Sequence, residues 1–224
     1  MNTENFTGKA EAYAKGRPGY PKEAIETIFR FISPNAVFAD IGAGTGIFTV
    51  KLAERGNTVY AIEPNADMRM QLAITLEPFK NATIISSTAE DTQLPDHCVD
   101  VITVAHALHW FNLDEFRAEC CRIIKPDGLV IAIYNHIPGD ELTDCYKQTI
   151  DNFFTNPTTW AFLNPIRYTR DNWISYILSQ DDGLLPNASG YDSYIAALNA
   201  KFDQDSVAGL LHCDRLTKVY SESM

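Results

Sequence analysis

A glycine-rich stretch early in the chain constrains its fold more than any other feature. Residues 36–46 read A-V-F-A-D-I-G-A-G-T-G, in which a short apolar run precedes an acid and then alternating glycines. The apolar run is typical of a buried strand, and residues 47–55 have the spacing of an amphipathic helix. Glycine tolerates positive φ angles and lets a ligand approach the backbone closely. The stretch therefore predicts a strand, a loop suited to ligand binding and a helix.

The spacing of the glycines bears on which ligand the loop would take. It is G-x-G-x-G, whereas the dinucleotide fingerprint is G-x-G-x-x-G/A, and Ile47 stands at the last small position of that fingerprint. Asp40, two residues before the first glycine, fits a ligand with a positive amino group better than a pyrophosphate, which seeks backbone N–H groups. The alternative is a βα turn with nothing bound, in which Asp40 accepts hydrogen bonds from loop N–H groups.

Composition limits the class of protein and its partners. With 224 residues and 46% hydrophobic content, the chain can bury a full core as one domain. The formal charge of −11, with Lys and Arg scattered, disfavours nucleic acid. We expect no membrane helix and no leader peptide, because no apolar run is long enough to span a bilayer and the N-terminus is polar. The five cysteines lack C-x-x-C spacing, which predicts no metal site and a cytoplasmic protein.

Predicted strands and helices alternate along the first part of the chain. This pattern implies a doubly wound, parallel α/β sheet with helices on both faces. The predicted strands lie at residues 37–39, 57–63, 82–86, 99–105 and 129–134. Ligands of such sheets bind at the carboxyl ends of the strands, where Asp40, Glu63 and residues 88–90 and 106–110 fall.

Glu63 ends the second predicted strand, 21 positions after Gly42. In Rossmann-type sheets an acid about 20 residues after the glycine loop accepts hydrogen bonds from ribose hydroxyls. The alternative is a surface acid before the turn at Pro64. The position favours the binding role.

The two ends of the chain are less regular. Residues 1–24 contain aromatics and a Pro-Gly turn, which fits either an arm that covers one end of the sheet or a lid that supplies Tyr13 and Arg17 to the ligand. Residues 136–212 suggest further helices, and residues 211–220 suggest a closing strand. Residues 162–168 could form a short strand, restricted to a sheet edge by Pro165.

Several motifs resemble known families. D-I-G-A-G-T-G resembles motif I of the class I S-adenosylmethionine-dependent methyltransferases, and A-E-D-T-Q-L-P-D-H-C-V-D-V-I-T-V-A-H-A-L-H-W-F resembles the type 11 methyltransferase domain. Y-A-K-G-R-P-G-Y-P and K-P-D-G are similar to the trans-aconitate methyltransferase branch, and R-L-T-K-V-Y to the last strand of the family. The resemblance implies a Rossmann-like, seven-stranded sheet of order 3-2-1-4-5-7-6 with an antiparallel last strand. It implies one domain, divided into a lid (1–24), a cofactor-binding core (25–135), a variable substrate-side region (136–212) and a closing strand (213–221).

The resemblance also implies a cofactor and site residues. The cofactor is S-adenosyl-L-methionine, whose methionine part Asp40 and the glycine loop would hold and whose ribose Glu63 would bind. The full implied set is Tyr13, Arg17, Asp40, Gly42, Gly44, Gly46, Glu63, Met68, Ala89, Glu90, Ala105 and His106. His109 and Trp110 would face the methyl acceptor. Trp110 has an equal alternative as an aromatic plug, and His109 could act as a base or shape the pocket.

The predicted function is methyl transfer from S-adenosylmethionine to a small-molecule acceptor. The trans-aconitate resemblance suggests a carboxylate acceptor, which would be methylated on oxygen. Two alternatives are an NAD-dependent oxidoreductase, disfavoured by Ile47, and a binding module for S-adenosylmethionine without catalysis. The sequence leaves the oligomeric state, monomer or dimer, open.

Overall fold

The computed structural model describes residues 3–138 and 142–224, so Met1, Asn2 and residues 139–141 of the predicted lid and variable region lie outside the described residues. Its strands, in chain order, are β1 (Val37–Ile41), β2 (Thr58–Ile62), β3 (Ala82–Ile85), β4 (Val99–Ala105), β5 (Ile124–His136), β6 (Thr158–Leu163), β7 (Ile166–Tyr168), β8 (Leu211–Cys213) and β9 (Leu216–Ser223). Seven of them form one sheet of order β3-β2-β1-β4-β5-β9-β6. Strand β9 runs antiparallel to both of its neighbours. The predicted fold class, strand order and antiparallel last strand are confirmed.

Helices connect the strands and cover both faces of the sheet. They are α1 (Ala10–Gly16), α2 (Lys22–Phe29), α3 (Thr49–Ala53), α4 (Ala66–Leu76), α5 (Leu113–Ile123), α6 (Leu142–Phe153), α7 (Arg170–Leu178) and α8 (Tyr191–Asp205), with short 3-10 helices at Thr3–Phe6 and Leu108–Trp110. The Asn65 side chain caps α4 by accepting a hydrogen bond from the Met68 N–H at 3.0 Å. This cap pairs one of the backbone donors that a helix start leaves unpaired.

The core is divided by the sheet into two layers. On one face Phe38 and Val59 pack with α2 and α3. On the other face Ile102 and Val130 pack with α5 and α6. Side chains of successive strand residues point to opposite faces, so strands covered on both sides must be apolar throughout, as β4 nearly is.

The edge strand differs from the sequence prediction. The expected strand over residues 162–168 is divided: β6 ends at Leu163 and pairs with β9, while β7 starts at Ile166 and pairs with β8 in a separate two-stranded sheet. Pro165 lies between them and has no N–H to donate to a ladder, which ends the pairing there. The expected closing strand over 211–220 is divided in the same way into β8 and β9.

The region after β6 forms a small helical layer against the β7–β8 pair. Tyr168, Trp173, Leu198 and Phe202 make its own apolar cluster between α7, α8 and the β7–β8 pair. Helix α1 packs against α7 so closely that a Cβ on Gly16 would lie 2.1 Å from the Tyr176 nitrogen. The N-terminal segment is therefore held against the part of the chain predicted to vary most.

Candidate active site

Two adjacent cavities lie at the carboxyl ends of the central strands. Both are lined by the glycine loop after β1 and by the end of β4, and they share Tyr13, Gly42, Gly44, Ala105 and His106. The first cavity extends towards α7 and the start of β9, and the second extends towards the end of β2 and α4. This is the position at which ligands bind in doubly wound sheets.

The glycines of the loop have different structural roles. Gly44 has a φ of +57°, and a Cβ added there would meet nothing within 4 Å, so a side chain would project into the open space of the site. Gly46 has a φ of +90°, and its added Cβ would lie 2.8 Å from Leu72 Cδ1 of α4. Gly44 therefore keeps the cavity open, whereas Gly46, which lines neither cavity, lets α4 pack against the loop.

The second cavity combines one acid with apolar walls. The Glu63 side chain accepts hydrogen bonds from the Gly44 N–H at 2.8 Å and from the Asn65 N–H at 2.9 Å. Burial raises the Glu63 pKa, and these two hydrogen bonds oppose the rise. Met68 and Ala89 lie on the surrounding wall. A carboxylate with unused acceptor positions beside an apolar surface suits a nucleoside.

Asp40 lies beneath the loop and lines neither cavity. It is fully buried, and its two carboxylate oxygens accept hydrogen bonds from Thr49 Oγ1 at 2.6 Å and Thr103 Oγ1 at 2.8 Å. Desolvation raises the Asp40 pKa to about 6, although both hydroxyl groups oppose the shift. Both partners are hydroxyl groups rather than the loop N–H groups of the alternative, and direct contact between Asp40 and a ligand stays a prediction.

The first cavity is polar and carries two arginines. Arg17 Nε donates to Ser179 Oγ and its Nη2 donates to the Ser179 carbonyl, each at 2.9 Å. Arg215 is 5% exposed, and its Nε finds no hydrogen-bond partner among the described residues. The buried Thr45 Oγ1 and both ring nitrogens of His136 are likewise without partners there. Because unpaired buried polar groups are costly, so many of them in one cavity point to a polar ligand.

His106 joins the two cavities at the end of β4. It has a φ of +57°, a left-handed conformation that costs a non-glycine residue roughly 1–3 kcal/mol and is found mainly at functional sites. Its Nδ1 is shielded from solvent without a partner in the described chain. Desolvation, followed by nearby His109 and Arg17, lowers the His106 pKa well below 6.5, so the imidazole is neutral at pH 7.

Three other predicted site residues, His109, Trp110 and Glu90, do not line the first cavity. His109 lies in neither cavity, and its Nδ1 is 3.4 Å from the Tyr134 hydroxyl. Desolvation, with a smaller effect of Arg17, lowers the His109 pKa to about 4. Trp110 lines the second cavity, not the one with the arginines. Glu90 lines neither cavity and accepts a hydrogen bond from the Asn112 N–H at 3.0 Å, which holds the start of α5.

The N-terminal segment crosses the site and is bonded on both sides of it. The Gly8 N–H donates to Asp67 Oδ2 of α4 at 2.7 Å. Lys9 Nζ donates to the carbonyl oxygens of Gln180 and Asp181, after α7, at 2.7 and 2.8 Å. Tyr13, four residues after Lys9, lines both cavities. The segment occupies the position expected of a lid, and its opening stays a prediction.

Sequence reasoning did not identify several lining residues. Phe6, Asn135, His136, Tyr176 and Arg215 all contribute to the cavity walls. His136 could have been found, because it lies two residues after the predicted fifth strand, at the end where ligands bind. Tyr176 and Arg215 carried no local signal, since only the packing of α7 and the insertion of β9 bring them to the site.

Two kinds of feature are absent from the described residues. No group of three or more His, Cys, Asp or Glu side chains is arranged to hold a metal ion within residues 3–138 and 142–224. In the same residues no helix has the length and apolar character needed to cross a membrane.

Comparisons with known proteins connect this geometry to a family. Residues 39–132 match the methyltransferase domain family. A protein of Dictyostelium discoideum named as a methyltransferase is 35% identical over 216 residues, covering 88% of this chain and 81% of its own. One of Mycobacterium tuberculosis, named as an uncharacterized methyltransferase, is 34% identical over 131 residues, covering 58% of this chain and 52% of its own. The match thus spans about half the length of the mycobacterial relative.

Solved structures show the same fold. A type II methyltransferase from Anaeromyxobacter dehalogenans superposes with a TM-score of 0.64 at 21% identity, covering 92% of this chain and 97% of its own. A SAM-dependent methyltransferase from Aquifex aeolicus superposes with a TM-score of 0.55 at 18% identity, covering 67% of this chain and 89% of its own.

Proposed function

Since this chain belongs to the class I S-adenosylmethionine-dependent methyltransferases, we propose that it transfers the methyl group of that cofactor to a small-molecule acceptor. The observation that carries the proposal is the pair of adjacent cavities on either side of the glycine loop, one apolar with Glu63 and one polar with two arginines. Such a pair suits the nucleoside of the cofactor in the apolar cavity, with its amino-acid end and the acceptor both in the polar cavity. The relatives and solved structures named above are methyltransferases, which disfavours the alternative of an NAD-dependent oxidoreductase.

Different residues of the chain would bind different parts of the cofactor. Glu63 has acceptor positions for ribose hydroxyls, and Met68 and Ala89 offer an apolar wall to the base. Gly44 leaves open space beside the loop, and Thr45 has a buried hydroxyl without a partner among the described residues. When bound, the cofactor supplies a methyl group already activated on a sulfonium.

The protein then has little chemistry of its own to perform. Alignment of the acceptor with the methyl group is the main requirement, and orientation of this kind can contribute about 7–11 kcal/mol to lowering a barrier. Tyr13, which lines both cavities, covers the place where they meet. The N-terminal segment would thereby exclude water while the acceptor is held.

The walls of the first cavity support a small molecule as the acceptor. Tyr13 of α1 and Tyr176 of α7 both line it, which leaves a concave site rather than a flat surface. Nucleic acid remains disfavoured by the net charge of −11. We retain the cytoplasm as the compartment, a proposal that rests on five free cysteines.

A carboxylate acceptor, methylated on oxygen, is the finer form of the proposal. No Asp or Glu lies among the described residues that line the first cavity, and His106 is a neutral imidazole of lowered pKa. The cavity therefore offers only weak bases. Carboxylates ionise at a pKa of about 4, so such an acceptor is already deprotonated at pH 7 and needs no base. The resemblance of the N-terminal motif to the trans-aconitate methyltransferase branch agrees with this choice.

Binding and transfer are tested in two steps. Thermal shift and calorimetry should show binding of S-adenosylhomocysteine but not of NAD, and a ligand at 100 times its Kd adds about 2.7 kcal/mol to the free energy of unfolding. The protein is then incubated with tritiated S-adenosylmethionine and a panel of mono-, di- and tricarboxylic acids with their matching amides and alcohols. Transfer to the acids would support the proposal. Tight binding without transfer to any compound would favour the non-catalytic module.

A further inference from the structure

The far wall of the first cavity contains a buried arginine, Arg215, that forms no salt bridge with any described residue. Arg215 directly precedes β9, and the Arg215 carbonyl accepts a hydrogen bond from the Asn164 N–H at 2.8 Å, which fixes its backbone. Its guanidinium carbon lies 4.8 Å from the centre of the Tyr176 ring. Its Nε is buried and has no hydrogen-bond partner in the described part of the chain. Buried arginines are normally paired, so this one is prepared for a ligand.

The charge balance of the cavity indicates the sign of that ligand. Arg17 and Arg215 both contact the Tyr176 ring, yet neither forms a salt bridge with any described residue. Among the described lining residues there is no Asp or Glu, although the chain as a whole carries a formal charge of −11. A local concentration of positive charge in an acidic protein fits a ligand with anionic groups.

The two arginines are not equivalent. Arg17 already donates from Nε and Nη2 to Ser179, and it lies in the N-terminal segment next to Tyr13, which also lines the nucleoside side of the site. Arg215 lines only the first cavity and keeps its Nε unused. Arg17 is therefore suited to the carboxylate of the cofactor, and Arg215 to a group beyond it.

We propose that Arg215 is a specificity-determining residue that binds an anionic group of the acceptor other than the atom that is methylated. The assignment rests on the proposed function. A charge-assisted hydrogen bond withdraws electron density from the oxygen that accepts it, so an oxygen held by Arg215 is a poor nucleophile. The acceptor accordingly carries a second reactive group, and Arg215 decides which of the two is turned towards the methyl group.

His136 provides a second contact on the same wall. It ends β5, and its register partner on β9 is Leu216, the residue after Arg215. It is 4% exposed, and neither ring nitrogen has a partner among the described residues. Desolvation, with a smaller effect of Lys218, lowers its pKa to about 4, so the ring is neutral at pH 7 and offers one donor and one acceptor. An anion held by Arg215 therefore has a neutral hydrogen-bonding neighbour.

The test measures anion binding to the protein already loaded with S-adenosylhomocysteine. Succinate and inorganic phosphate are titrated separately by calorimetry into the wild type, Arg215→Gln and the control Arg167→Gln, which removes an exposed arginine of β7. We expect Arg215→Gln to weaken binding of succinate, phosphate or both by about 10- to 150-fold, whereas Arg167→Gln has no effect. The anion that loses most affinity identifies the anchored group as carboxylate or phosphate.

The same variants separate failure of this inference from failure of the proposed function. Arg215→Gln should bind S-adenosylhomocysteine as the wild type does; a large loss would show that Arg215 holds the cofactor. Unchanged anion binding in Arg215→Gln, or no anion binding by the loaded wild type, would also overturn the inference. Wild-type protein that fails to bind S-adenosylhomocysteine would instead refute the proposed function.

A second variant and a kinetic readout complete the test. Arg215→Met keeps an apolar side chain over the Tyr176 ring. If the Arg215→Gln variant does not fold, the Arg215→Met variant is used in its place in every measurement. With an acceptor from the carboxylic acid panel, loss of the anchor should raise KM more than it lowers kcat, because the anchor binds ground state and transition state alike. A loss confined to kcat would mean that Arg215 acts at the reacting oxygen, contrary to the proposal.

Discussion

Replacement of Glu63 by glutamine tests how the site holds the cofactor. The ionised carboxylate has about four acceptor positions, and the Gly44 and Asn65 N–H groups use two of them. Two positions remain for ribose hydroxyls. Glutamine keeps only one side-chain oxygen as an acceptor. Its amide nitrogen would replace the oxygen that now accepts from either the Gly44 N–H or the Asn65 N–H, so two donors would face each other. Glu63→Gln therefore both weakens the ribose contact and disturbs the loop.

The expected loss follows from the strength of hydrogen bonds to a charged group. Each is worth about 1.5–3 kcal/mol. Because glutamine cannot serve the backbone and the ribose equally well, we expect at least one such bond to be lost. This corresponds to a Kd for S-adenosylhomocysteine that is roughly 10- to 150-fold higher.

Isothermal titration calorimetry with S-adenosylhomocysteine measures the effect, and circular dichroism checks that the variant is folded. Glu77→Gln is the matched control, because Glu77 is an exposed acid at the end of α4 that lines neither cavity. A folded Glu63→Gln protein with wild-type affinity would remove Glu63 from the site. An equal loss in Glu77→Gln would mean that the change in net charge, not a specific contact, weakens binding.

Four further predictions concern the loop, the lid and two titratable groups. Gly44→Val should abolish binding of S-adenosylhomocysteine in a protein that is still folded by circular dichroism, because the side chain would project into the site from a residue with φ of +57°; an unfolded variant would point to a purely structural glycine. Amide hydrogen exchange of residues 3–17 should slow when S-adenosylhomocysteine binds, since a covering segment must open to admit a ligand; equal exchange rates would make it a fixed cover. Burial raises the folded-state pKa of Asp40 from 3.8 to about 6, so its contribution to stability is greatest below pH 3.8 and is lost as pH rises through 6. In urea unfolding, the stability of Asp40→Asn relative to wild type should rise by about 2.4 kcal/mol from pH 4 to pH 8; a pH-independent difference would contradict the raised pKa. His109→Ala, assayed with an acceptor from the panel, should raise KM with a modest change in kcat, because His109 lies in neither cavity but its ring packs on His106, which lines both. A kcat loss of about 10²–10⁴ would identify it as a general base and count against a carboxylate acceptor.

The sequence by itself determined those parts of the site that depend only on residues close together in the chain. The apolar run, the acid and the alternating glycines of residues 36–46 specify a strand, a loop and a helix, because each requirement acts within a few residues. The position of Glu63 followed from the length of one βα unit. The resemblance then supplied the order of the seven strands, including the antiparallel last strand, which periodicity alone does not contain.

Other features were decided only when distant segments packed together. The sequence around Asp40 does not reveal its hydrogen-bond partners. One of them is Thr103 of the neighbouring strand β4, which is far from Asp40 in the chain. Gly46 belongs to the glycine pattern but serves the packing of α4.

The wall of the first cavity that contains Arg215 and Tyr176 shows this dependence on distant segments most clearly. Arg215 comes to the site because β9 inserts antiparallel beside β5, and Tyr176 because α7 packs on α1. Local sequence encodes periodicity and turn geometry, which neighbouring residues are sufficient to specify. Which charged side chain is buried without a partner depends on contacts between segments far apart in the chain, and those contacts form only when the sheet and the helical layer assemble together.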